Sequence, residues 1–295
     1  MTDGILLLDK PINMTSNDAL QKVKRLFAAK KAGHTGSLDP IATGQLPLCF
    51  GKATKLSEFL GLESDKSYHV VAKLGEKTTT GDIEGAIVQT RPVGEVTANG
   101  LKKILAEFLG TIQQIPPMYS AIKYQGKPLY VLARQGIEVP RQARPVQIYA
   151  LTLQNLSEDT FTFEVHCSKG TYVRTLVEDI GEKLGCGAHV RELRRTMVSP
   201  FQGLPMVTLE QLKAIQQQAG RSGLLAHLLP IETALAHFPA IKLPTASAFY
   251  LRMGQAVRVA CPLSHSFVRL LSEDGKFLGI GEPLPDGRIK PRRLM

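Results

Sequence analysis

The chain has 295 residues, 43% of them hydrophobic and 21% charged, enough for a sizeable core and, on length, two domains. Its net charge of +10 and pI of about 9.5 point to a polyanionic partner, nucleic acid ahead of an acidic membrane surface, since no apolar run approaches the ~20 residues that span a bilayer. The four cysteines, Cys49, Cys167, Cys186 and Cys261, form no CxxC pair, which argues against a zinc site and a disulfide framework. Met1–Gly4 show no leader pattern, so reduced thiols and a cytoplasmic location are expected.

Ile5–Leu8 is an apolar run closed by Asp9-Lys10-Pro11 and reads as a buried strand. Ser16 offers an N-cap, with Asp18 in the first turn, and Leu20, Val23 and Phe27 mark the buried face of the helix that follows. The stretch GHTGSLDPIATGQLP, Gly33 to Pro47, then concentrates Gly33, Gly36, Gly44 and an Asp39-Pro40 step around a single carboxylate. Such density excludes a helix and predicts a shaped loop that presents Asp39. On composition alone this aspartate is a turn or capping residue, a metal ligand or a nucleophile.

Tyr68–Leu74 reads as a strand, and Leu101, Ile104, Leu105 and Phe108 as a helix ending at Gly110. Val146–Leu153 and Thr160–Cys167 read as an antiparallel pair. Before them, Pro116 to Pro145 interleaves Tyr119, Lys123, Tyr124, Lys127, Tyr130, Arg134, Arg141 and Arg144. That pattern suits an RNA-gripping insertion as well as it suits a solvated loop with its tyrosines packed down. Thr171–Leu184 reads as a helix, His189–Val198 as a strand, and Leu209–Gln218 and Leu224–Leu228 as two further helices. From about Ile241 the character changes to short strands at 256–259, 267–271 and 277–281, with Asp274-Gly275 and Asp286-Gly287 as turns. This tail reads as a small β-barrel.

Familiar chemistry motifs are missing. Gly44 and Gly51-Lys52 are separated by six residues instead of the four of a phosphate loop, and Ala53 lacks the hydroxyl that would hold magnesium. The histidines have no metal-ligand spacing, and GxGxxG, HExxH and GxSxG do not occur. A reaction without metal or cofactor, or a pure binding role, is left. Taken singly, His34, Tyr68, Arg174 and Leu193 are more ordinary as a hydrogen-bonding loop histidine, a strand tyrosine, a surface arginine and a core leucine.

Taken together they resemble one family. GILLLDKP with its helix, GHTGSLDP, DKSYHVVAKLG, PPMYSAIKYQGKPLY, CSKGTYVRTL and GEKLGCGAHVRELRR occur in the order found in TruB-type pseudouridine synthases. Ser37 stands where alanine is common. The resemblance implies an α+β pseudouridine-synthase fold, a mixed, mainly antiparallel sheet flanked by helices, with a C-terminal PUA-like β-barrel. It implies a catalytic domain over 1–240, with the insertion at about 116–145, and an RNA-binding domain over 241–295. It matches Asp39 to the catalytic aspartate, Arg174 to its partner, and Tyr68 to the tyrosine that stacks on the target base. His34 matches the histidine that fills the space of the flipped nucleotide, and Tyr172 and Leu193 match residues of the base pocket. Lys10 matches a lysine of structural role beside them. The implied activity is conversion of uridine-55 in the T-arm of tRNA to pseudouridine, without cofactor, metal or membrane, by a monomer. Two other readings remain at this point: an RNA-binding or RNA-folding protein without activity, and another base-modifying enzyme such as a transglycosylase.

Overall fold

The computed structural model describes residues 2–60, 64–259 and 266–295, so Cys261 lies outside the described residues. The first half of the chain runs β1 (Gly4–Lys10), α1 (Ser16–Leu26), β2 (Ala32–His34), β3 (Ala42–Phe50), α2 (Ser57–Leu60), β4 (Lys66–Leu74), β5 (Glu76–Thr78), β6 (Ile87–Thr90), α3 (Ala98–Ala106) and β7 (Gly110–Gln114). There follow β8 (Lys123–Tyr124), β9 (Lys127–Pro128), α4 (Leu129–Arg134), β10 (Arg144–Leu156), β11 (Thr160–Cys167), α5 (Val173–Lys183), β12 (Ala188–Val198) and α6 (Leu209–Leu225). The last part holds β13 (Ala240–Lys242), α7 (Thr245–Arg252), β14 (Val257–Arg258), β15 (Val268–Leu271), β16 (Phe277–Pro283) and β17 (Arg288–Leu294).

An eight-stranded sheet in the order β1-β3-β12-β4-β11-β10-β7, with β2 on β3, forms the body. Every pairing is antiparallel except β3 with β12. The sheet is therefore mixed and mainly antiparallel, as expected. Its main core gathers Leu20 and Val23 of α1 with Phe27 at its C-cap, Leu101 and Leu105 of α3, Leu176 and Ile180 of α5 and Leu212 of α6 over inward residues such as Val70, Phe163 and Val190. A second cluster joins Ile5, Leu7, Cys49 and Phe59 to Phe201, Leu235 and Ile280. Ile280 belongs to β16, so the last sheet closes the core that the first strand opens. No described helix is long and apolar enough to cross a membrane.

Four local expectations are corrected. The cap of α1 is Thr15, whose hydroxyl accepts from the Asp18 N–H, and Ser16 is already helical. The glycine-rich stretch is a loop only between β2 and β3. Gly44 lies within β3 at φ +99°, where any Cβ would collide with the Arg195 carbonyl of β12. That glycine serves close backbone approach, not a turn. The two helices beyond Leu209 form one element kinked at Gly220, whose φ of 59° and ψ of −150° are not helical. In the tail, α7 was not expected. It buries only Ala248 and Leu251 and exposes Phe249 and Tyr250, so its pattern resembles strand material. The tail sheet follows the order β13-β15-β16-β17-β14 and curls into half a barrel, open between its edge strands.

Candidate active site

The loop between β2 and β3 is held from both sides. On one side, the Ser16 hydroxyl accepts from the Leu38 N–H (2.7 Å) and donates to the Leu38 carbonyl (3.1 Å). Beside it the fully buried Lys10 donates to the carbonyls of Pro11 (2.9 Å), Met14 (2.6 Å) and Pro40 (3.3 Å). Three carbonyls for three N–H groups suit an ammonium. Burial nevertheless lowers its pKa to about 8, offset in part by Asp39 and Glu84. On the other side, Arg195 of β12 donates to the carbonyls of Gly36 (3.1 Å) and Ser37 (3.5 Å) and, through Nε, to that of Gln45 (2.8 Å). Gly36, at φ +71°, leaves room for that guanidinium.

Asp39, between these anchors, faces Arg174. Arg174 Nε lies 3.0 Å from Asp39 Oδ2 and its terminal nitrogen 3.4 Å from Oδ1, a two-pronged contact. Arg174 sits in the first turn of α5 and is 5% exposed. It is itself fixed by donation to the carbonyls of Thr80 and Tyr119, both at 2.8 Å, and lies 3.6 Å from Asp82 Oδ2. Asp82 is buried and takes bonds from the Thr80 hydroxyl (2.6 Å) and the Glu84 N–H (3.1 Å). Burial pushes the Asp39 carboxyl above the usual carboxylate range. Arg174 and Lys10 pull it back, and Asp82 adds to the rise.

A cavity of about 320 Å³ opens over Asp39, and Tyr68, Tyr172, Arg174 and Leu193 line it together with Lys66, Tyr119, Ser120 and Arg195. Its size fits a single nucleobase and its immediate surroundings. Tyr68 of β4 and Arg195 of β12 are direct cross-strand partners, and Leu193 pairs with Val70 two residues on. The backbone of Tyr172 is clamped by the buried Gln114 side chain, which accepts from the Tyr172 N–H (3.0 Å) and donates to its carbonyl (3.3 Å). Burial pushes the Tyr68 hydroxyl up to about 12 and raises that of Tyr172. It lowers Lys66 to about 8.

Five of the seven residues singled out in the sequence thus meet at one cavity. Lys10 lies beneath the Asp39 loop. His34 ends β2 outside the cavity lining, its Nδ1 buried without a hydrogen-bond partner among the described residues. Burial and the Arg195 charge lower the His34 pKa. Sequence reasoning missed Arg195, Lys66, Asp82 and Gln114. A signal existed for Arg195: it follows Leu193 by two along a strand, the inward phase, where an arginine needs a reason. Among the described residues no cluster of three or more His, Cys, Asp and Glu could hold a metal ion. The 116–145 insertion is a lobe with its own small core, Leu129, Leu132 and Val139. It exposes Tyr124 and Tyr130, the latter beneath Arg134.

Comparison with known proteins matches residues 24–173 to the N-terminal domain of TruB family pseudouridylate synthase. Residues 174–236 match the tRNA pseudouridylate synthase B C-terminal domain, and 239–295 match the C-terminal part of pseudouridine synthase II TruB. The tRNA pseudouridine synthase B of Coxiella burnetii (strain RSA 493 / Nine Mile phase I) is 56% identical over 293 residues, covering 99% of this chain and 94% of its own. That of Shewanella sp. (strain ANA-3) is 54% identical over 300 residues, with the same coverage of 99% and 94%. In fold, the chain superposes on one from a Cbf5-Nop10-Gar1 complex with a TM-score of 0.78, at 24% identity over 99% of this chain and 85% of that one.

Proposed function

The chain belongs to the TruB family of pseudouridylate synthases, and from that premise we propose that it converts uridine-55 in the T-arm of tRNA to pseudouridine with Asp39 as nucleophile. The isomerisation of a tRNA uridine breaks the N-glycosidic bond, turns the base and rejoins it to the sugar through carbon; that carbon gives up its proton and the freed ring nitrogen gains one, with no net redox change. The observation that carries the residue assignment is the two-pronged Asp39–Arg174 contact at the floor of a base-sized cavity walled by Tyr68, Tyr172 and Leu193.

A uridine within a folded T-arm must leave its stack to reach Asp39. Stacking on Tyr68 offsets part of that cost, at about 1–3 kcal/mol per base–aromatic contact. Asp39 attacks as the carboxylate. Arg174 and Lys10 favour that form against burial and the neighbouring Asp82. Leu193, Tyr172 and Tyr68 exclude water around the detached base. Catalysis belongs to residues 1–240, and the basic 116–145 lobe and the PUA-like 241–295 half-barrel hold the RNA by phosphate contacts that position without reading sequence. The protein acts as a monomer in the cytoplasm, where its substrate is made.

The test is direct. A T-arm hairpin RNA treated with the protein is mapped for pseudouridine. Conversion at uridine-55 alone by wild type, and none by Asp39→Asn at matched RNA affinity, is the expected result. Release of free uracil, or turnover by the Asn variant, overturns the assignment.

A further inference from the structure

Gln114 ends β7, the edge strand of the main sheet, and is 2% exposed. It shares the inward phase of that strand with Ile112, which packs against the main core. An amide at such a position is costly unless both of its ends are bonded. One stretch of backbone serves both. Gln114 Oε1 accepts from the Tyr172 N–H at 3.0 Å, and Nε2 donates to the Tyr172 carbonyl at 3.3 Å. The orientation of the amide is fixed by chemistry, since a peptide N–H only donates and a carbonyl only accepts.

Tyr172 is the N-cap of α5, where its side chain bonds no helix N–H, and its carbonyl also takes the Leu176 N–H at 3.1 Å. Its ring lines the cavity, and Arg174, two residues on, faces Asp39. Gln114 is also the direct cross-strand partner of Arg144. The 116–145 lobe leaves the sheet just after Gln114 and rejoins it at Arg144. A second tie lies just inside the lobe, where the Tyr119 carbonyl accepts from Arg174 at 2.8 Å. The root of the lobe is thus bonded twice to the start of the helix that carries Arg174.

We propose that Gln114 is a positioning residue that sets the Tyr172 ring and Arg174 in register with the root of the 116–145 lobe, so that RNA held by the lobe meets a pocket already shaped for the base. The inference rests on the reading of this cavity as the site of isomerisation and of the lobe as an RNA grip. It places the effect of Gln114 on turnover and not on binding. A side chain that only filled space would serve equally well without its two bonds.

Two variants test it, by single-turnover rate at saturating T-arm hairpin RNA and separately measured RNA affinity. Gln114→Met keeps the approximate volume and loses both bonds. Its rate is expected to fall by roughly 10–10²-fold, with affinity within about threefold of wild type. Gln114→Glu keeps the shape, but only its protonated acid both donates to the carbonyl and accepts from the N–H; the carboxylate only accepts. Burial raises the pKa of a carboxyl placed there, while Arg144 across the pairing and Arg174 at the start of α5 stay cationic and resist the rise. The ratio of its rate to that of wild type, in which the acid limb set by Asp39 cancels, is expected to rise as pH falls from about 9 to about 5. A ratio constant over that range, a ratio that follows the folded fraction measured by circular dichroism, or Gln114→Met at the wild-type rate overturns the proposal. If Gln114→Met does not fold, the Gln114→Glu ratio decides. Wild-type protein that makes no pseudouridine overturns the reading of the cavity itself, an outcome distinct from unaffected variants of an active enzyme.

Discussion

Ser16 and Leu38 are locked to each other by a reciprocal pair of hydrogen bonds, with the hydroxyl accepting from the Leu38 N–H at 2.7 Å and donating to its carbonyl at 3.1 Å. The first turn of α1 thereby holds the residue next to Asp39. Both partners are buried, so losing the hydroxyl strands two backbone groups. Ser16→Ala is expected to cost about 1–3 kcal/mol of stability, read as a shift in the denaturant midpoint. It should also slow single-turnover pseudouridine formation more than it weakens RNA binding. An unchanged midpoint with an unchanged rate would deny this bond any role in holding the loop.

Asp39→Asn keeps shape and volume and removes the nucleophilic charge. Product formation is expected to fall by more than about 10³-fold, with RNA affinity nearly unchanged. Filter binding and product mapping on the same preparation separate the two effects.

Arg174 makes its two-pronged contact with Asp39 and also donates to the carbonyls of Thr80 and Tyr119. Lysine offers a point charge and cannot serve these partners together. Arg174→Lys is expected to lose roughly 10²–10³ in kcat, with KM changed far less. A kcat near wild type would remove Arg174 from the site.

Acid should switch the enzyme off earlier than an ordinary aspartate would. Only ionised Asp39 attacks, and burial together with Asp82 raises its carboxyl above the model-peptide value while Arg174 and Lys10 resist the rise. Activity is therefore full above the raised pKa and falls as pH drops through it. The acid limb of kcat/KM is expected above 3.8, and further up in Arg174→Gln, where one stabilising cation is gone. A limb at or below 3.8, or one that moves down in the variant, contradicts this electrostatic picture.

In the tail, Arg288 is paired with Asp286 and Lys290 with Glu282, whereas Arg292 and Arg293 are exposed, with Glu58 only 3.9 Å from Arg293 as a loose neighbour. Within β17 the charge least tied to a carboxylate thus lies in the last pair. Replacing both with glutamine is expected to flatten the salt dependence of RNA binding by roughly 0.7–0.9 in log–log slope per arginine lost from contact. The rate at saturating RNA should hold. An unchanged slope would assign the tail to folding alone.

The strands were legible because their periodicity and flanking turns agree: Tyr68–Leu74 and Thr160–Cys167 alternate inward and outward over a covered sheet. The site was legible only through resemblance. Taken singly, Asp39 reads as a turn residue and Arg174 as a surface cation. What makes them a site is a bond between residues 135 apart in sequence. Gly44 misled because its glycine serves a strand contact that no local pattern encodes. Gln114 and Asp82 were invisible for a similar reason. Each acts on a partner in a distant segment, and a polar residue carries no mark of what it will face.

The second core cluster has a consequence for the order of assembly. Ile5 and Leu7 leave the ribosome long before Ile280, yet all three enter one cluster. Nascent β1 can pair with β3 and gain Leu56 and Phe59 early, but the cluster on its far face is completed only when Ile280 has been made. For most of its synthesis the polypeptide carries an apolar surface of the kind that chaperones recognise. A late-translated strand finishes the interior begun by a much earlier one.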